Sequence, residues 1–246
     1  MNKKELLDES LKKIKIEASD EQLDQLLDYY DFLIKTNETL NLTRITEFED
    51  VVMKHFVDSC AIGQYVDLHR SLSIIDIGTG AGFPGIPLKI IYPELSVTLA
   101  DSLNKRIRFL EEVIQLLSLE NIRTIHSRAE DLGKNCDFRE KFDLCVSRAV
   151  ANLSTLSELA IPLVKVGGNF ISYKSGEIDQ ELKDAEFAVG ELSGRIKDVL
   201  YFQLPGDEIS RSFVMIEKVR KTKKKYPRKA GTPSKNPLQD ISSCER

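Results

Sequence analysis

The chain has 246 residues, 41% hydrophobic and 30% charged, with a formal net charge of −4. That length sustains a full core and suits one large domain, or a domain with an added subdomain. No apolar run approaches the ~18 residues of a membrane span, and the four cysteines and three histidines lack ligand spacing, so neither a membrane role nor a bound metal is expected. "MNKKELLDES" has no hydrophobic core of a signal peptide, which predicts a cytoplasmic protein with reduced thiols. No obligate protein partner is evident.

The charge is divided unevenly. Lys218 to Lys235 contains nine Lys or Arg and no acid, so residues 218–246 carry +8 and residues 1–217 carry −12. A basic tail on an acidic body suggests a polyanion partner; a solvated tail that only aids solubility has the same composition.

In chain order, residues 1–70 read as a helical extension. Leu23, Leu26, Leu27, Tyr30, Phe32, Leu33 and Ile34 recur at helical spacing, with Ser19 and Gln22 placed as a capping box. After a break at "NLTRIT", a second helix is predicted from about Glu47 to Tyr65, with Val51, Val52, Phe56, Cys60 and Ile62 inward. Residues 71–217 alternate strands and helices. Strands are predicted at Leu72–Ile77, Leu95–Ala100, Ile122–His126, Phe142–Ser147 and Asn169–Lys174. A helix follows Gly176 to about Leu192, and "RIKDVLYFQL" and "RSFVMIEKV" should pair as an antiparallel hairpin across "PGDEIS". The fold class is α/β: a doubly wound, mostly parallel, Rossmann-like sheet with an antiparallel edge. Residues 218–246 form the basic tail.

The first predicted strand runs into "IIDIGTGAGFPGIPLKIIYP". Glycines between a strand and a helix let a ligand approach the backbone, at the carboxyl end of a strand where such sheets bind ligands. Two ligands compete. Gly80 to Gly85 reads as GxGxxG, and Asp101 follows Gly80 by 21 residues, as in dinucleotide sites. The strand ends at Ile77, however, so the pattern begins earlier, at Asp76-Ile77-Gly78-Thr79-Gly80-Ala81-Gly82. That pattern resembles the first motif of S-adenosylmethionine methyltransferases. An acid at the strand tip suits the cationic amino-acid end of that cofactor and would repel a pyrophosphate, and Asp101 is placed to accept from ribose hydroxyls. Each acid is alternatively a turn or N-cap residue. Together they favour S-adenosylmethionine, with dinucleotide binding as the alternative.

"NLTRIT", "KHFVDS", "IIDIGTGAGFPGIPLKI", "LADSLNKRIRFLEEV", "SRAEDL", "FDLCVSRAVANL" and "YKSG" together resemble the RsmG (GidB) family, over about Asn41 to Gly176. The resemblance implies methyl transfer from S-adenosylmethionine to N7 of a guanine in 16S ribosomal RNA, in a hairpin loop near the decoding centre. The partner would be that RNA or the small ribosomal subunit. It further implies cofactor contacts at Gly78, Phe83, Asp101, Ala129, Glu130 and Arg148, which join Asp76, Gly80 and Gly82 of the glycine motif. Glu130 otherwise reads as an exposed first-turn acid, and Phe83 as core. Ser147-Arg148-Ala149 stands where amino-group methyltransferases carry Asn/Asp-Pro-Pro-aromatic, and Cys145 lies mid-strand, unsuited to a C5 nucleophile. Guanine N7 needs only in-line placement, so Arg148 is the candidate for positioning the substrate. Lys105, Arg106, Lys174, Lys223, Lys224, Lys225, Arg228 and Lys229 are candidates for RNA contact, although Lys105 and Arg106 also read as a solvated helix turn. An oxidoreductase and a noncatalytic RNA-binding protein with the same fold are the competing functions.

Overall fold

The computed structural model describes residues 2–148, 151–206 and 208–240. The chain divides into two compact units: Met1–His126 with Gln203–Ile209, and Ser127–Phe202 with Ser210–Arg246.

The first unit begins with α1 (Lys3–Lys13) and α2 (Asp20–Leu40). Each starts with a capping box, Asn2 with Glu5 and Ser19 with Gln22, which satisfies amides a helix start leaves open. The α2 face buries Leu23, Leu26, Tyr29 and Leu33. Polar side chains of α2 then reach two further helices, α5 (Gly85–Ile91) and α6 (Asn104–Leu116). Gln22 donates to the carbonyls of Ile90 and Ile91 at 2.8 and 3.1 Å, and Gln25 to that of Leu117 at 2.9 Å. Between α2 and the first strand, α3 (Phe48–Val51) passes through a π-helical stretch, Val52–Val57, into α4 (Asp58–Cys60) and a 3-10 turn, Ala61–Gln64. The predicted second helix is therefore present, widened at its middle. Val51, Val52, Phe56, Cys60 and Ile62 are all buried.

Strands β1 (Ser73–Ile77), β2 (Ser96–Asp101) and β3 (Ile122–His126) pair in parallel, with β2 in the middle. All seven residues of α5 are buried. Its Lys89 reaches the carbonyls of Pro93 and Leu95, and burial pulls the ammonium below the ordinary lysine pKa.

The second unit contains α7 (Ala129–Leu132), β4 (Phe142–Ser147), α8 (Leu153–Ala160), β5 (Val164–Ser175), α9 (Asp179–Glu191), β6 (Gly194–Gln203), β7 (Ser210–Lys218) and α10 (Thr232–Lys235). β4 and β5 are parallel, β5 and β7 antiparallel, and the strand order here is β4-β5-β7-β6. β5 begins five residues before the predicted Asn169.

The basic segment after β7 folds onto acids of its own unit. Arg228 grips Glu158 of α8 through its backbone amide and guanidinium, at 2.7 to 3.1 Å. Lys223, Lys225 and the Tyr226 hydroxyl converge on Glu191 at 2.9 to 3.1 Å. Lys218 is buried against Glu140 at 2.8 Å, and Arg139 donates to the carbonyls of Thr222, Lys223 and Tyr226. The Lys223 and Lys225 hydrogen bonds hold the Glu191 carboxyl at a pKa of about 2.

Glu158 is 0% exposed, so removing its partner strands a buried charge. Arg228→Ala should lower unfolding stability by about 3 kcal/mol, read from urea denaturation at pH 7. A loss below half of that would show that the pair does not hold the segment down.

Candidate cofactor site

The turn after β1 is built around Asp76, which is wholly enclosed. Its Oδ2 accepts from the Thr79 hydroxyl at 2.7 Å and from the Gly85 amide at 3.0 Å. It thus ties the start of the loop to the start of α5, serving as a cap supplied from a strand. Gly78, Gly80 and Gly82 all have positive φ, of 67°, 64° and 100°, which is the reason the loop alternates glycine with other residues. The glycines nevertheless differ in what surrounds them. A Cβ on Gly82 would lie 2.6 Å from Ile86 and 2.9 Å from the Tyr29 hydroxyl, and one on Gly85 would strike Leu99. A Cβ on Gly80 would meet nothing nearer than the Gly78 carbonyl, at 4.0 Å. Gly82 and Gly85 answer to packing, whereas Gly80 presents bare backbone to open space.

The loop amides are already in use. Those of Gly78 and Thr79 donate to the Ala100 carbonyl, those of Gly82 and Phe83 to the Thr79 carbonyl, and that of Gly80 to Asp101 Oδ2 at 3.0 Å. A pyrophosphate is normally cradled by amides that point at it, and these five point elsewhere. Asp101, at the tip of β2 and 3% exposed, also accepts from the Leu103 amide at 2.9 Å and from Arg106 at 3.1 Å. The site is therefore rich in acceptors and poor in spare donors, which suits hydroxyls and a cation better than a phosphate.

Phe83 is buried in an aromatic cluster, 5.4 Å from Tyr29 and stacked on His55 at 4.4 Å between centroids. His55 comes from the π-helical stretch, and its ring nitrogens face Thr43 Oγ1 at 3.0 Å and the Lys54 carbonyl at 3.1 Å. Tyr29 donates to the Ala81 carbonyl. Helical spacing alone does not bring Tyr29 or His55 to this loop; the segment "KHFVDS" is the one sequence signal that contains His55.

In the second unit, Ala129 and Glu130 open α7, which starts three residues after β3 ends. Glu130 is buried rather than exposed, and its Oε1 accepts from the Gly231 amide at 2.8 Å. Arg148 directly follows β4 and is half-buried; its neighbour Ala149 lies outside the described residues. Asn152 caps α8. Lys174 stands beside that loop: its ammonium donates to the Ala151 carbonyl at 2.9 Å and to Glu181 at 2.7 Å, while Glu181 accepts from the Leu153 amide.

Of the cations assigned to RNA, several have partners inside the protein. Lys105 donates to the Leu40 carbonyl, and Arg106 is held by Asp101. Lys174, Lys223, Lys225 and Arg228 are ion-paired. Lys224 and Lys229 are exposed, and no carboxylate among the described residues pairs with them. No group of three or more metal-ligating side chains, and no helix long and apolar enough to cross a membrane, occurs among the described residues.

The family model described as rRNA small subunit methyltransferase G (GidB) matches residues 22–207. Ribosomal RNA small subunit methyltransferase G of Staphylococcus carnosus (strain TM300) is 50% identical over 95% of this chain and 98% of its own length. The protein of the same name from Staphylococcus saprophyticus subsp. saprophyticus is 51% identical over 91% of this chain and 93% of its own. Among solved structures, the ribosomal protein L11 methylase from Lactobacillus delbrueckii subsp. bulgaricus superposes with a TM-score of 0.51 at 21% identity, over 68% of this chain and 79% of that one. That likeness places the fold among Rossmann-like α/β methyltransferases. By the match of the family model and the half-identical relatives, the chain belongs to the rRNA small subunit methyltransferase G (GidB) family.

Proposed function

We propose that this chain transfers the methyl group of S-adenosylmethionine to N7 of a guanine in small-subunit ribosomal RNA. Family membership supports the reaction class, and the relatives' name supports the RNA. The observation that carries the cofactor assignment is the loop itself: five amides committed inward, one bare glycine at Gly80 and an acceptor carboxylate at Asp101. S-adenosylmethionine, when bound, supplies an electrophilic methyl on a cationic sulfur. Asp101 would accept from its ribose hydroxyls, Gly78 and Gly80 would let it lie against backbone, and Ala129 and Glu130 would serve its adenine end. Asp76 and Gly82 hold the loop in shape, and Phe83 with His55 stiffens the wall behind it.

The chemistry asks little of acid–base groups. Guanine N7 carries a free lone pair at neutral pH, so the protein has only to hold the base in line and exclude competing orientations. Arg148 is the residue for that task, through hydrogen bonds that a guanidinium group can donate to guanine O6 or to a phosphate, which leave the N7 lone pair free to attack. Lys174 and Glu181 fix the end of the same loop from behind. RNA affinity comes from outward-facing lysines, Lys224 and Lys229 first among them.

Three outcomes test this. The wild-type protein with tritiated-methyl S-adenosylmethionine should label small-subunit ribosomal RNA at guanine N7, and Arg148→Ala should cut the single-turnover rate at least ~100-fold at saturating RNA, as loss of a positioned group does. Absence of label from the wild type would defeat the proposal outright.

The glycines should separate. Gly80→Ala should weaken S-adenosylmethionine binding at least tenfold, by about 1.4 kcal/mol, while costing only about 1 kcal/mol of stability for its left-handed backbone. Gly82→Ala should cost more stability than that, about 2 kcal/mol, through overpacking against Ile86 and Tyr29. Calorimetric titration and urea unfolding of both variants would decide; equal effects of the two on cofactor affinity would refute the distinction.

Charge removal at Lys224 and Lys229 should lower RNA affinity and reduce the slope of log affinity against log salt by about 2, one per lost phosphate contact. An unchanged slope would mean that these lysines do not touch the backbone of the RNA.

A further inference from the structure

The segment after β7 touches one of the residues assigned to the cofactor. Helix α7 has only four residues, too few to hold a helical turn unaided, and it is gripped at both ends from residues 226–231. At its start, the Glu130 carboxylate, 7% exposed, accepts from the Gly231 amide at 2.8 Å. At its end, Gly133 lies so close to Pro227 that a Cβ there would come within 2.8 Å of the proline ring. Arg139 closes the same end by donating to the carbonyls of both Gly133 and Tyr226, at 2.6 and 2.8 Å. The Gly231 turn is itself anchored on either side. Arg228 holds Glu158 before it, and the Pro233 carbonyl accepts from the Thr155 hydroxyl at 3.0 Å after it. Gly231 adopts φ +81°, which directs its amide to Glu130, and a Cβ at this position would meet nothing within 4 Å.

We infer that residues 226–233 act as a strap that positions Glu130 and α7, and through them sets affinity for the adenosine part of the cofactor. This rests on the methyltransferase reading above. Gly231 is a positioning residue, acting through Glu130. A carboxylate released from that amide would reorient toward water, and α7 would lose one of its two fixed ends. The strap is thereby a binding element as well as a carrier of basic charge, and shortening it should be felt in cofactor affinity before it is felt in chemistry.

The test uses the full chain, with S-adenosylmethionine and free adenosine as probes in calorimetric titration. Gly231→Pro removes the donated N–H and cannot adopt the left-handed φ. It should weaken both probes about tenfold, ~1.4 kcal/mol, raise KM for S-adenosylmethionine by the same factor, and leave kcat at saturating cofactor unchanged. Gly231→Asn keeps the N–H and tolerates positive φ, with open space for its side chain, so it should bind like wild type. Should Gly231→Pro not fold, Gly231→Val in the full chain, whose β-branched side chain resists positive φ, gives the same reading. Unchanged affinity for both probes in the folded variant would overturn the inference, as would a loss of kcat with affinity intact. Failure of the wild type to bind S-adenosylmethionine would instead overturn the reading on which the inference rests.

Discussion

A carboxyl group enclosed at the end of β1 is the constraint to which the site is built. A buried polar group is costly unless hydrogen bonds replace its water, and Asp76 obtains them from Thr79 and Gly85. Those two residues lie at opposite ends of the glycine loop, so the loop has to double back between them. Left-handed backbone at Gly78, Gly80 and Gly82 provides the reversal. Gly85 then has to sit against Leu99 with no side chain, and α5 begins where Asp76 caps it. What remains after these demands is the bare backbone of Gly80, whose amide is turned to the buried carboxylate of Asp101. The acid that reads from sequence as a ligand contact clamps the two ends of the loop together.

The parts of the fold that sequence made legible are those whose causes are local. β1 to β4 lie within a residue of their predicted limits, because each is an apolar run ended by glycine, acid or serine. The Ser19–Gln22 capping box is formed as its three-residue spacing implies. Where the cause lies elsewhere in the chain, the reading fell short. A strand is expected from Asn169, yet β5 runs from Val164 straight through Gly167 and Gly168, with Gly168 pressed against the Asp143 carbonyl of the neighbouring strand. Helical spacing favours Tyr30 for the inward face, whereas Tyr29 is the tyrosine that enters the core and bonds Ala81 of the loop. α1, too, was covered only by the general reading of a helical extension.

The charge division has the same lesson in electrostatic form. Composition showed a basic end and an acidic remainder but not that Glu140, Glu158 and Glu191, between 32 and 78 residues distant from their basic partners, would neutralise much of it internally. The inward pairs and the outward lysines alternate along one short stretch: Lys223 and Lys225 turn to Glu191 while Lys224 between them stays exposed. A segment of this kind can be tied to its own domain and still present charge to a polyanion.

The two kinds of pair in the basic segment respond differently to salt, and this orders its behaviour. Lys223 and Lys225 are more than half exposed in their contacts with Glu191, so ions screen them readily. Arg228 meets a Glu158 side chain that is 1% exposed, in a bidentate contact that solvent ions do not reach. Rising ionic strength therefore loosens the outer attachment and any phosphate contacts of Lys224 and Lys229 while the Arg228 anchor holds. Between that anchor and the Pro233 contact lies the Gly231 amide that holds Glu130. The Lys223 and Lys225 attachments are thus the salt-sensitive part of the basic segment, and the support of α7 rests on the part that salt leaves in place.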